Sequence, residues 1–269
     1  MAPDLLGRKG AARIALIPAE VLEALNEGQV PTVNLNEFLA LDAGRLARNV
    51  ARHIGLPPDD DRITDTIAML GAFRPVKRHE HIARALHELT RDRADRDAIA
   101  HRLATHPSDV ARGWATQWIM FSDLPLAARL QSARRFAADP HFGVREIAWM
   151  AVRDEVGIHL DEALALLDPW VRDADENIRR FASELTRPRG VWCAPLEALK
   201  AQPWRALPLL EPLKSDPSRY VRNSVANWLN DASKSQPQWV DEVCRRWSRE
   251  APGPECEHIV RRACRTMRA

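Results

Sequence analysis

A single tyrosine, six phenylalanines and four cysteines are all that the 269 residues hold of these types. The cysteines (Cys193, Cys244, Cys256 and Cys264) form no Cys-x-x-Cys pair and share no zinc-like spacing with histidine. They are expected to be small packing residues with reduced thiols rather than ligands. No stretch approaches the roughly 18–20 consecutive apolar residues that span a bilayer. The first ten residues lack an apolar core of signal-peptide length. The chain is therefore expected to be cytoplasmic, with no membrane partner. Strand signals are nearly missing: no alternating Val/Ile/Thr stretch is bounded by Asn-Gly or Asp-Gly. The one histidine–acid cluster, His79-Glu80-His81, sets its imidazoles two positions apart, which splays them on a helix. A metal hydrolase is thus disfavoured, and neither metal nor cofactor is expected.

What is present describes a folded chain, with 45% hydrophobic and 28% charged residues. Net charge is only +2, but it is unevenly spread. From residue 170 onward there are 18 Lys+Arg against 13 Asp+Glu; the remainder has 21 against 24. An anionic partner is expected on the C-terminal segment. Six of the nine tryptophans lie there too: Trp170, Trp192, Trp204, Trp228, Trp239 and Trp247. Most are expected in the core, with one or two left to serve as stacking surfaces.

Helix-period patterns recur along the chain, broken by Pro and Gly. One runs over 35–54; others fall near 62–71, 80–90, 95–105, 108–120 and 125–138. From about residue 139 a repeat emerges in DPHFGVR (139–145), DENIR (175–179), DPSRYVR (216–222) and a degenerate HIVR (258–261). The aliphatic-Arg anchors at 144/145, 178/179, 221/222 and 260/261 are spaced 34, 43 and 39 residues apart, close to the roughly 40–47 of HEAT and armadillo units. The expectation is an all-α fold, a HEAT-like helical-repeat solenoid (an α-α superhelix) forming a single domain. Residues 1–75 would cap it, and 76–269 would carry its working surface. Stacked helical pairs bury what one pair cannot, and one helix of each lines a cradle for an extended partner.

Two helices carry candidate chemistry. Over 218–232, Val221, Val225, Trp228, Leu229 and Ala232 share a buried face, while Tyr220, Asn223, Asn227 and Asp231 share a polar one bordered by Asn230. The polar stripe reads either as a solvated, capped face or as a site. Over 176–187, Ile178, Phe181, Ala182 and Leu185 face inward and Arg180, Ser183, Glu184 and Arg187 elsewhere. Arg180 and Glu184 are four apart and can pair, for about 0.2–0.5 kcal/mol on an exposed helix. The loop that follows holds Arg187, Pro188, Arg189, Gly190 and Trp192. It is either a connector with one buried anchor, or two phosphate-contacting arginines beside an indole that lies across a sugar or base.

The stretches IRRFASELTRPR (178–189) and LLEPLKSDPSRYVRNSVANWLND (209–231) resemble signatures of the AlkC/AlkD superfamily of DNA glycosylases, on the AlkC side. VRRACRT (260–266) is similar to that family's basic C-terminal motif, and LLGRK (5–9) with Leu56-Pro57 is weakly so. The strong resemblance spans roughly residues 139–268. Trp228 and Arg262 depart from the pattern, and the appended β-rich domain of some relatives is not expected. The resemblance implies a helical solenoid that cradles duplex DNA and hydrolyses the N-glycosidic bond of N-alkylated, cationic bases such as 3-methyladenine or 3-methylcytosine. It places the essential carboxylate on Asp231, an aromatic wall on Trp192, and a supporting acid and base on Glu184 and Arg180. DNA contacts are expected from Arg180, Arg187, Arg189, Tyr220, Arg222, Asn227, Arg261 and Arg265, in a protein acting as a monomer near the nucleoid. The alternative is a non-catalytic helical-repeat relative that binds DNA or scaffolds another protein.

Overall fold

The computed structural model describes residues 5–190 and 192–267, and every regular element among them is helical. No helix of these residues is long and apolar enough to cross a membrane. The chain falls into two compact units. The first holds the residues up to Asp123 with Pro140–Ile147, and the second holds Leu124–Asp139 with the residues from Ala148 onward. The boundary expected at residue 75 falls inside the first unit.

The first unit contains α1 (Ala19–Asn26), α2 (Leu35–Ala40), α3 (Ala43–Ile54), α4 (Asp61–Met69), α5 (Pro75–Thr90), α6 (Arg96–Ala104) and α7 (Asp109–Gln117). The single helix expected over 35–54 is broken at residues 41–42. Leu41 is extended, and the Asp42 carboxylate accepts from the Arg45 N–H to start α3 afresh. Gly55, at φ +86°, closes that helix in the left-handed conformation that other residues adopt at a cost. Leu46, Val50, Ile54, Leu86, Ile99 and Leu103 are wholly buried. The N-terminal motif contributes to this packing, since Arg8 meets the buried Glu37 through Nε and Nη2, at 3.0 and 2.6 Å. His79 and His81 turn to different partners. His79 accepts from Trp114 Nε1 at 3.2 Å, and burial lowers its pKa to about 4, while His81 stacks on Phe73.

The second unit begins with α8 (Leu126–Ala137). After α9 (Phe142–Met150), which both units share, it continues with α10 (Arg153–Ile158), α11 (Leu160–Leu167), α12 (Glu176–Leu185), α13 (Glu197–Ala201), α14 (Leu207–Leu210), α15 (Arg219–Ser233), α16 (Pro237–Glu250) and α17 (Pro254–Ala263). Helices α12, α15 and α17 pack side by side. Behind them α11, α14 and α16, with the 3-10 turns that follow the first two, form a second row. The repeat read from the sequence thus becomes helical pairs, and a side-chain cap starts two of the first-row helices: Asp175 for α12, Ser218 for α15.

The repeated arginine explains itself in this setting. Arg179 Nη1 reaches back to the carbonyls of Asp173 and Ala174, and Arg222 Nη1 to those of Asp216 and Pro217, all within 3.0 Å. Arg145 does the same to Pro140 in the first unit. There Arg112 repeats the contact on His106 and Pro107, a copy the spacing did not reveal. Each arginine is the fourth residue of its helix. Arg261 is the eighth of α17, out of reach of a preceding loop, so the fourth copy expected at 260/261 is out of register.

Arg179 also ties one pair to the next, meeting Asp216 through Nε and Nη2 at 2.7 and 3.0 Å. Asp216 is buried, so Arg179→Met strands a carboxylate that keeps only backbone donors. A loss of about 3 kcal/mol is expected, the low end for a broken buried pair, read as a lower midpoint of urea unfolding with unchanged slope.

Candidate catalytic carboxylates and basic face

The site grows from the packing of α12 on α15. Ile178, Phe181, Ala182 and Leu185 face inward as expected, and so do Val221, Val225, Trp228, Leu229 and Ala232. Ser183 and Glu184, expected on the outer face of α12, are buried instead, because α15 covers them. Ser183 Oγ and Ser224 Oγ lie 2.7 Å apart, and Ser224 Oγ is 3.0 Å from Glu184 Oε2.

Glu184 Oε1 accepts from Arg187 Nη1 at 2.8 Å. The same guanidinium donates Nε and Nη2 to Asp231 Oδ2, at 2.9 and 2.7 Å. One arginine therefore bridges two carboxylates from neighbouring helices. Burial works against its charge, but Glu184 and Asp231 hold it protonated, its pKa above the ordinary arginine value. Arg187 was expected to contact phosphate; each of its three nitrogens donates to a carboxylate inside the protein. Asp231 lies on the polar stripe with Tyr220, Asn223 and Asn227, yet is only 4% exposed, because Arg187 and Lys234 cover it.

Two further cations stand at the rim. Lys234 Nζ is 3.4 Å from Asp231 Oδ1 and its side chain is 42% exposed. Arg180 Nη2 is 3.8 Å from Glu184 Oε1, and its guanidinium lies 4.3 Å from the centre of the Tyr220 ring. The acid and base expected to pair are thus loosely matched, and the close partner of Glu184 is Arg187. Glu184, Asp231 and Arg187 together carry one formal negative charge, with Lys234 and Arg180 at its edge.

The loop that supplies Arg187 is fastened from beneath by Arg153, which no motif had singled out. Its Nη1 donates to Leu185 O at 2.6 Å, its Nη2 to Arg187 O at 2.7 Å, and Nε and Nη2 both to Ala194 O at 3.3 Å. Arg153 is 1% exposed, and burial pushes its guanidinium below the usual value. A side chain on Gly190 would strike Cys193 Sγ and crowd Arg153, so the loop closes tightly over this arginine. Trp228 is wholly buried and donates Nε1 to Thr186 O at 2.9 Å, occupying a carbonyl at the end of α12. That bond is what the tryptophan at this departing position contributes.

Trp192 is 75% exposed, with φ +66°, the one non-glycine positive φ among the described residues. Such a backbone costs about 1–3 kcal/mol, and it turns an indole into solvent beside the loop that holds Arg187. Arg189 Nη2 donates to Ser235 Oγ at 2.9 Å, and its buried Nε has no partner. Arg222, expected on DNA, spends Nη1 on the carbonyls that precede its helix. Along the α15/α17 contact, Asn223 Oδ1 meets His258 Nε2 at 2.9 Å, and Asn227 Oδ1 accepts from Arg265 Nη2 at 3.0 Å. Arg261 is exposed beside them. The sequence reading missed Ser224, Lys234 and His258. Lys234 was legible as a cation one turn beyond Asp231, whereas His258 needed the packing of α17 on α15.

No protein-family model matches the chain. Over 117 residues, 44% of this chain, it is 40% identical to the uncharacterized protein YhaZ of Bacillus subtilis, and the match covers 32% of that protein. Among solved structures it resembles the Pseudomonas fluorescens alkylpurine DNA glycosylase AlkC bound to DNA containing an abasic site analog. There the TM-score is 0.62 at 23% identity, over 93% of this chain and 65% of that one. AlkD2 from Streptococcus mutans superimposes with a TM-score of 0.58 at 23% identity, over 75% of this chain and 97% of that one. The chain therefore spans about a third of YhaZ and somewhat under two thirds of the AlkC chain, and it has the helical-repeat fold of the AlkC and AlkD2 structures.

Proposed function

We propose that this chain, with the fold of AlkC and AlkD2, is a member of their superfamily and a DNA glycosylase for N-alkylated bases. It would act on duplex DNA as a cytoplasmic, nucleoid-associated monomer without cofactor. The observation that carries the reading is the pair of carboxylates, Glu184 and Asp231, held by one arginine beside a basic helical face.

The chemistry follows from the substrate. Alkylation at N3 or N7 makes the base cationic, so it departs without being protonated. What remains is to stabilise positive charge growing on the deoxyribose, which fixed negative charge in a water-poor site does electrostatically. Arg187 locks the orientation of Asp231 through Oδ2 and leaves Oδ1 to Lys234, a half-exposed, weakly held partner. DNA phosphates that draw off Lys234 and Arg180 would leave the Glu184–Arg187–Asp231 group with its net negative charge facing the sugar. Asp231 would then orient the attacking water, and the Trp192 indole would favour the same cation through its face. Arg189, Tyr220, Asn227, Arg261 and Arg265 would grip the backbone, with the salt dependence that counterion release brings.

A second reading, a DNA-binding relative without turnover, is favoured by one observation: both carboxylates are more than nine-tenths buried and already share a cation. Incubating methylated duplex DNA with the protein and chromatographing the released bases separates the two. Free alkylated base supports the glycosylase; duplex affinity with no release supports the second reading.

A further inference from the structure

The α15/α17 contact holds more positive charge than it neutralises. His258 sits half-buried on α17, facing Arg219 and Arg222 from α15 and Arg261 and Arg262 one turn further along its own helix. Among the described residues, the side chains of Arg219, Arg261 and Arg262 make no hydrogen bond or ion pair. The Nε atoms of Arg222 and Arg262 are buried without a partner. The acidic residues on these elements and on α16, which also packs against α17, are Glu255, Glu257, Asp231, Asp241, Glu242 and Glu250. Of these, Asp231 pairs with Arg187, Asp241 with Arg245, and Glu250 with Lys214 and Arg246.

His258 Nε2 faces Asn223 Oδ1, which can only accept, so Nε2 carries the proton. Nδ1 is then an unprotonated nitrogen with no hydrogen bond among the described residues. We infer that His258 takes up a proton at Nδ1 when a phosphodiester enters this arginine cluster, so that the grip on nucleic acid tightens in acid. The inference rests on the reading of this face as a DNA-binding surface.

The linkage has a definite sign. In the free protein, burial and then the arginines hold the imidazole below its usual pKa. A bound phosphate offsets the arginines and accepts from Nδ1–H, which raises that pKa. The complex then carries more protons than the free partners, so affinity rises as pH falls through the bound-state pKa and levels off below the free-state one. Each unit between the two is about a tenfold gain.

Duplex affinity measured by anisotropy from pH 8 to pH 5 at fixed ionic strength is the test, for the native protein and for His258→Gln. Glutamine retains a donor for Asn223 and does not titrate. The native protein is expected to bind about tenfold tighter at the acid end, and the variant to lose that slope. Equal slopes in both overturn the inference. A second arm follows the imidazole resonances with sulfate as probe, against chloride at matched ionic strength. Sulfate should raise the His258 titration midpoint relative to chloride; no shift at His258 overturns the inference. Should the duplex not bind at any pH, the DNA reading falls, and the sulfate arm alone decides the anion site.

Discussion

Asp231→Asn is expected to slow base release by about 10²–10³-fold, the usual cost of removing one preorganised electrostatic group from a transition state. Duplex affinity should change little, because the groups offered to the backbone lie elsewhere: Tyr220 and Asn227 on α15, Arg261 on α17, and Arg189 and Arg265 in the segments that follow α12 and α17. The amide keeps the shape and the acceptor that Arg187 needs, and Arg187 retains Glu184, so no buried charge is left alone. The variant should therefore fold, with a thermal midpoint close to the parent's. Single-turnover release of methylated base, read beside circular dichroism, separates lost chemistry from lost structure. A fully active Asp231→Asn would remove Asp231 from the mechanism.

Arg187→Met is expected to be the most destabilising single change at the site. It leaves Glu184 and Asp231, each nine-tenths or more buried, without the cation they share. Breaking a buried pair in this way costs about 3–5 kcal/mol, which urea unfolding would register directly. The variant also decides between two roles for Arg187. An arginine bound to phosphate contributes about 0.9 to the salt slope of duplex binding; an arginine spent on carboxylates contributes nothing. The structure leads to an unchanged slope in whatever fraction stays folded. Restoring stability with Glu184→Gln in the same chain would show that stranded charge, rather than lost packing volume, is the cause.

The helices and their buried faces were legible because they depend on period alone. Val221, Val225, Trp228 and Leu229 repeat at helical spacing, and nothing outside α15 can alter which of its faces they share. The break between α2 and α3 was missed because Asp42 caps a new helix inside an unbroken hydrophobic pattern. The site was legible in part. Glu184, Arg187 and Asp231 stand in motifs long enough to be noticed, but partnership is set by packing. Spacing alone paired Glu184 with Arg180, four residues away. The loop turns Arg187 back beneath α15, where it serves Glu184 and Asp231 together. Arg153 carried no signal at all: a lone arginine in a short helix reads as surface until three carbonyls are seen around it. The recurring arginine marked the repeat, but not why it recurs: Arg222, placed on DNA by the resemblance, closes the loop before its helix as the fourth residue of each such helix does.

The central claim is that buried negative charge around Asp231 neutralises a transient sugar cation. Its most direct test compares two duplexes, one with a neutral abasic analogue and one with a cationic, nitrogen-containing sugar at the same position. The account predicts that the cationic duplex binds at least about a hundredfold tighter, as transition-state mimics do, and that Asp231→Asn erases the difference. Equal affinity for the two duplexes in the native protein would contradict it.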